Sequence, residues 1–361
     1  MKVKQDRREF IGSLAGFAAA AAVDPAVAAV RPSPGMIWGT LLHLGSNMWD
    51  DFLHRPDEWA KSEEEEKLRP NPVGPSGRRK SSYHCYLRCR DDLWTKAVDH
   101  MAACGMNTVF IDLGEGLEYP SHPELAVPGT WSVEKMRKEL ARIRALGMEP
   151  VPKLNFSTCH DSWLKEYHRM VSSRKYYQVV ADVIRDTCEI FGNPGLFHIG
   201  FDEEMTIAQF NHFHSTCRQG DLWWHDFLFF VKTVEKEGVR PWIWSDYIWG
   251  HKDEFLAKMP KSVLQSNWYY RQWFDLEKIP AARRIHLESF LFLEKAGFDQ
   301  IPCGSNWACD ENISGLVKFC RKSIAPERLK GFLMTAWDPT LPGSEPKLMK
   351  SLELAAAAYG R

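Results

Sequence analysis

Eight times along the chain a short apolar run ends in polar residues and gives way to an amphipathic stretch, and this alternation limits the fold more than any other feature. The runs lie at 36–42, 107–113, 149–155, 196–201, 240–245, 263–267, 300–304 and 332–337. Strands separated by helices form parallel sheets, because parallel neighbours need a helix-length crossover between them. Helical stretches at 93–104, 132–146 and 176–191 fill three of those crossovers, and Gly105, Gly147, Gly192, Gly238 and Gly297 stand where a helix end favours glycine. Eight βα units predict an α/β fold, a single (β/α)8 TIM barrel, with an open doubly wound sheet as the second arrangement. The stretch 352–358 reads as the last barrel helix.

One long insertion follows the first strand, at about 47–92. It carries an acidic run at 63–66, then Pro70, Pro72 and Pro75, then a basic run at 78–80, which reads as solvated loop. Its Trp49, Trp59, Tyr83 and Tyr86 could nevertheless fold over the barrel mouth, since the loops that follow the strands form the catalytic face. Ahead of the barrel, Lys2, Lys4 and the pair Arg7-Arg8 lead through Glu9, Phe10 and Ile11 into an Ala-rich run ending in Ala26-Val27-Ala28. This is the pattern of a twin-arginine export signal over 1–30, placing the barrel at 31–361 in the periplasm or outside the cell. The apolar run falls short of a spanning helix, so no stable membrane span is expected once the signal is removed.

Lys and Arg total 46 against 47 Asp and Glu, for a net charge of −1. That balance offers no basic footprint for nucleic acid and points to a small or neutral ligand. Fifteen Trp fit a carbohydrate cleft, where an indole gives a broad apolar face and one donor, although core packing claims many of them. The nine cysteines show no paired metal-ligand spacing, and only Cys85 with Cys89 and Cys303 with Cys309 are near enough in sequence to suggest a bridge. A protein exported already folded would keep most of these thiols free. No phosphate-cradling Gly loop, dinucleotide fingerprint or Ser nucleophile elbow is present, so no cofactor is expected.

In a barrel of this kind the chemistry sits just past the strand ends. Collected there are His43; Asp112 and Glu115; Lys153, Asn155 and His160; Asp202, Glu203 and Glu204; Asp246; Asn267, Trp268 and Tyr269; Ser305, Asn306 and Trp307; and Trp337 with Asp338. Carboxylates and aromatics dominate the set. This suits glycosidic bond cleavage, in which a carboxylic acid protonates the leaving oxygen, a second group stabilises the oxocarbenium centre and Trp faces hold the ring. Adjacent carboxylates repel, so Asp202 and Glu203 facing a Trp-walled cleft should have one pKa raised, leaving one as acid and the other ionised. The plainer reading has three acids opening a helix at its positive dipole end. His198 reads as a core histidine, and His212 with His214 lacks a nearby third metal ligand.

The segment Phe197-His198-Ile199-Gly200-Phe201-Asp202-Glu203-Glu204 resembles the His-x-Gly-Gly-Asp-Glu signature at the end of strand four in family 20 glycoside hydrolases, the β-N-acetylhexosaminidases. Further echoes follow in order at Trp242-Ile243-Trp244-Ser245-Asp246, at 263–268 and at 332–338. The resemblance implies that Asp202 orients and charge-stabilises the substrate's 2-acetamido group, whose oxygen is the nucleophile, and that Glu203 is the general acid. It implies too that Trp244, Trp268 and Trp337 wall the sugar pocket. Asp246, Tyr269, Trp307, Asp338, His160, Asn155 and Glu204 complete the candidate substrate contacts. The chain departs from the family in three places: Phe201 replaces the second Gly, 36–44 lacks the Arg that grips sugar hydroxyls, and Trp337-Asp338-Pro339 replaces a Trp-x-Glu. The small α/β domain that precedes the barrel in the family is not expected. Two rival classes stand beside the hydrolase: a carbohydrate-binding pseudoenzyme, and a metal-dependent lyase or isomerase with Glu203, Asp246, His160 and Asp112 as ligands.

Overall fold

The computed structural model describes residues 35–49, 83–209, 212 and 214–360; the export-type segment 1–30, and Trp59 with the charge runs of the insertion, lie outside them. Eight strands alternate with helices: β1 (Ile37–His43), α1 (Asp91–Ala103), β2 (Thr108–Asp112), α2 (Val133–Ala145), β3 (Glu149–Lys153), α3 (Arg174–Phe191), β4 (Leu196–His198), α4 (Gly220–Lys236), β5 (Arg240–Trp244), α5 (Ile248–Lys258), β6 (Leu264–Ser266), α6 (Ala281–Lys295), β7 (Cys303–Ser305), α7 (Asn312–Ser323), β8 (Gly331–Thr335) and α8 (Glu345–Tyr359). All pairings are parallel, in the order β6-β5-β4-β3-β2-β1-β8-β7. The bridges Gln265 to Gln300 and Trp268 to Cys303 join β6 to the β7 side, so the sheet curls into a barrel and is not an open doubly wound sheet. All five glycines expected at helix ends have φ between 70° and 81°.

Side-chain alternation sorts each strand into an inner and an outer row. Ile37, Leu41, Phe110, Val151, Leu196, Trp242, Trp244, Leu264 and Leu333 form the inner cluster, while Trp38, Leu42, Val109, Ile111, Phe197, Ile243 and Phe332 pack outward under the helices. Phe110 and Trp242 meet edge to face at 4.8 Å inside the barrel. Gly39 makes room for them, since a Cβ there would stand 2.6 Å from the Phe110 ring.

Two prolines in β3 also fit the ladder. The N–H of Glu149 donates to Asn107 in the β2 direction, so Pro150 and Pro152 occupy the alternate positions that face β4. The β3–β4 ladder accordingly registers only at Lys153 with His198, and continues through Leu154 N–H to the His198 carbonyl. The fourth strand stops at His198, short of the expected 201, because Gly200 (φ 75°) and Phe201 (φ 72°) turn the chain left-handed. That turn builds the site. Among the described residues no helix is long and apolar enough to cross a membrane, and all nine cysteines are free thiols.

Candidate active site

Four residues after β4 carry most of the geometry. Gly200 passes so close to Asn155 that a Cβ would lie 1.9 Å from its Oδ1. Phe201, standing where the family signature has its second Gly, adopts the left-handed conformation that glycine favours. Its ring pays for that strain by packing at 5.0–5.6 Å against Phe230, Phe227 and Trp223, with the Arg218 guanidinium 5.3 Å from its centre. Glu203 is left-handed as well, with φ 53°. Non-glycine residues in this region cost about 1–3 kcal/mol each and persist where the surroundings over-determine them, which is commonest at functional sites.

The carboxylates are held from the loop after β3. Asn155 Nδ2 donates to Asp202 Oδ1 at 2.8 Å, and His160 Nε2 lies 3.4 Å from Asp202 Oδ2 and 3.3 Å from Glu203 Oε2. Burial alone would lower the His160 pKa, but Asp202 and Glu203 outweigh it and hold the imidazole at about 10. Burial likewise opposes ionisation of Asp202, yet His160, Lys153 and Asn155 hold it at about 2. The carboxyl that rises is Asp246: burial and the neighbouring Asp202 push it well above the usual range. Within the adjacent pair Asp202 is the member held ionised, because a buried histidine lies against it.

Aromatic rings enclose the carboxylates. Trp337, itself left-handed at φ 54°, lies 5.8 Å from Trp244 and 6.5 Å from Tyr270, and Tyr270 stacks on Trp268 at 5.0 Å. Trp49, at the start of the insertion, stands edge-on to His160 at 5.6 Å and to Trp337 at 6.3 Å, so this ring does reach the barrel mouth. Glu115 fixes the base of that segment by accepting the backbone N–H groups of Ser46 and Asn47. Trp244 sits at the floor, with no hydrogen-bond partner for its N–H among the described residues. Below the mouth, Lys153 Nζ reaches Asp112 at 2.7 Å and His43 Nδ1 reaches the same carboxylate at 3.3 Å. Lys153 and His43 hold Asp112 below the usual carboxylate range despite its burial.

Asn155, His160, Asp202, Glu203 and Asp246 therefore converge, and Trp244, Trp268 and Trp337 share one wall. Four expected substrate contacts do not join them. Glu204 is buried against Arg218 at 3.1 Å and accepts from Thr158, and Arg218 also binds Asp226 at 2.7 Å, so Glu204 anchors the loop. Tyr269 points the other way from Trp268 by strand alternation and packs on Phe274 in the outer core. Asp338 is buried against Lys347 at 2.7 Å. Trp307 is 53% exposed and makes no ring contact with the wall among the described residues.

The metal set Glu203, Asp246, His160 and Asp112 does not assemble, since Asp112 is engaged with Lys153 and His43. Three side chains, His160, Asp202 and Glu203, do place ligand-type atoms within 4.8 Å of one another, and His160 Nε2 is already engaged with both carboxyl groups. His198 is a core histidine, as expected: its Nδ1 accepts the Gly200 N–H and its ring packs on Trp242 and Trp244. Sequence reasoning missed Tyr270, which shares the face of Trp268 two residues away, and Cys159, for which no sequence signal exists.

No protein family matches the sequence, and no curated protein does. Solved structures do match the fold. The β-N-acetylhexosaminidase of Streptomyces coelicolor superposes with a TM-score of 0.56 at 13% identity, covering 89% of this chain and 64% of that one. The β-N-acetylhexosaminidase of Bacteroides fragilis gives 0.54 at 12% identity, over 88% and 65%. An exo-β-N-acetylglucosaminidase of Vibrio harveyi, solved with N-acetylglucosamine, gives 0.52 at 12% identity, over 89% and 54%. The chain thus spans between about half and two thirds of these neighbours' length, and its fold resembles the barrel of family 20 glycoside hydrolases.

Proposed function

We propose that this chain is an exported glycoside hydrolase acting on N-acetylhexosamine-type sugars, with Glu203 as general acid and Asp202 as the carboxylate that orients and stabilises the 2-acetamido group. The observation that carries the reading is an ionised, buried Asp202 fixed by Asn155 and His160 beside the partly exposed Glu203, beneath an aromatic wall. One ligand-type oxygen of Asp202 and one of Glu203 lie within 4.8 Å of each other, less than the roughly 6.5–9.5 Å that an inverting pair keeps between carboxyl groups for a water. A retaining route in which the substrate supplies the nucleophile asks the protein only for an acid and a neighbouring carboxylate, which Glu203 and Asp202 provide.

In that reading Asp202 accepts the acetamido N–H and its charge offsets the cation forming at the ring, while Glu203 gives its proton to the departing oxygen and then takes one from the incoming water. His160 keeps Asp202 ionised throughout, and Trp337, Trp268 and Tyr270 hold the sugar faces. The twin-arginine pattern supports export. The test is a panel of chromogenic glycosides differing only in a 2-acetamido or 2-hydroxyl group, with the product anomer read by NMR. Hydrolysis of the acetamido sugars with retention is expected; inversion, or equal rates on both sets, would overturn the assignment.

A further inference from the structure

Glu203 occupies a backbone conformation uncommon for a side chain of its type, and two buried groups grip it there. Asp246 Oδ2 accepts the Glu203 N–H at 2.8 Å, and the Cys159 thiol donates to the Glu203 carbonyl at 2.6 Å. Asp246 follows β5 and Cys159 follows β3, the two strands that flank β4, so the loop is held from both sides. We propose that Asp246 is a positioning residue and not a sugar ligand: with Cys159 it forms a clamp that fixes the Glu203 backbone so that its carboxyl faces the cleft. The proposal rests on the role of Glu203 as acid.

The chemistry of both jaws fits. Asp246 is 6% exposed and Cys159 is fully buried, so both jaws reach the half-buried Glu203 backbone from inside the protein. The charged groups facing Asp246 are Asp202 and Glu203 from the β4 loop, both engaged in turn by His160 from the β3 loop. Burial and Asp202 push the Asp246 carboxyl well above the usual carboxylate range, which opposes a further negative charge beside Asp202 and Glu203. Its other oxygen has no hydrogen-bond partner among the described residues.

The test compares Asp246→Ala with Asp246→Asn, each checked for folding by Tm. A misplaced acid costs rate more than binding, so Asp246→Ala should lower kcat by about 10²-fold with KM little changed. Asp246→Asn keeps an uncharged acceptor and should recover at least about tenfold of that loss, with the alkaline limb of the pH–rate profile, set by the general acid, where the wild type has it. If Asp246→Ala does not fold, Cys159→Ala against Cys159→Ser makes the same comparison through the other jaw, since serine keeps a donor. Should the wild type hydrolyse no glycoside, the hydrolase reading fails, and the clamp is read from crystal structures instead: φ at Glu203 stays positive in Asp246→Asn and relaxes in Asp246→Ala. Full activity or an unchanged Glu203 in Asp246→Ala would overturn the proposal. So would an Asp246→Asn as impaired as Asp246→Ala, because charge and not the acceptor would then matter.

Discussion

Replacing His160 by Phe removes the cation that lies against both Asp202 and Glu203. The imidazole is 1% exposed and answers to two carboxylates, so its own displacement, from an ordinary 6.5 to about 10, measures what is lost when it goes. At about 1.4 kcal/mol per pH unit that sets a ceiling near 5 kcal/mol. Seen from Asp202 alone, which falls from 3.8 to about 2, the same arithmetic gives roughly 2–3 kcal/mol. The Glu203 side chain is 39% exposed and its share is screened by solvent, so we place the loss at about 3–4 kcal/mol.

The pH dependence has a definite shape. A histidine raised on folding contributes fully below its unfolded value near 6.5 and loses the contribution as pH rises through about 10. A carboxylate lowered on folding contributes fully above its unfolded value near 3.8 and loses it as pH falls through about 2. The gap between wild type and His160→Phe, measured by urea unfolding, should therefore be widest between about pH 4 and 6.5 and close toward pH 10. A gap below about 1 kcal/mol in that window, or one that widens above pH 8, would refute the reasoning.

Arg218→Met leaves Glu204 and Asp226 buried without their cation, and should cost about 3–5 kcal/mol in urea unfolding; under 1 kcal/mol would mean the pair is already screened. Tyr270→Ala should raise KM for aryl glycosides by roughly three- to tenfold, the worth of one aromatic contact, while Tyr269→Phe leaves KM unchanged because that ring faces the outer core. A reporter fused to residues 1–30 should leave the cytoplasm only while Arg7 and Arg8 are intact, and export that survives their replacement by Lys would exclude the twin-arginine route.

The barrel was legible because short apolar runs and amphipathic stretches alternate eight times, and the strand-end rule then gathered Asn155, His160, Asp202, Glu203 and Asp246. Where the sequence misled, it did so by counting residues after a strand without their direction. Tyr269 follows Trp268 yet faces outward, Glu204 follows Glu203 yet meets Arg218 from fourteen residues downstream, and Asp338 follows Trp337 yet meets Lys347. Partners supplied by other elements are invisible to local pattern, and so is the pKa order they impose: no spacing announces that His160 sits between Asp202 and Glu203, or that Asp246 is left to carry the raised carboxyl.

The central claim is that Glu203 protonates the leaving group, and the most direct measurement is kcat/KM for wild type and Glu203→Gln across aryl glycosides of graded leaving-group acidity. Losing a general acid should slow poor leaving groups by roughly 10²- to 10⁴-fold and good ones far less, so the dependence on leaving-group pKa steepens in the variant. Parallel lines for the two proteins would contradict the assignment. Equal sugar binding with no hydrolysis by either would make the barrel a carbohydrate-binding protein and not an enzyme.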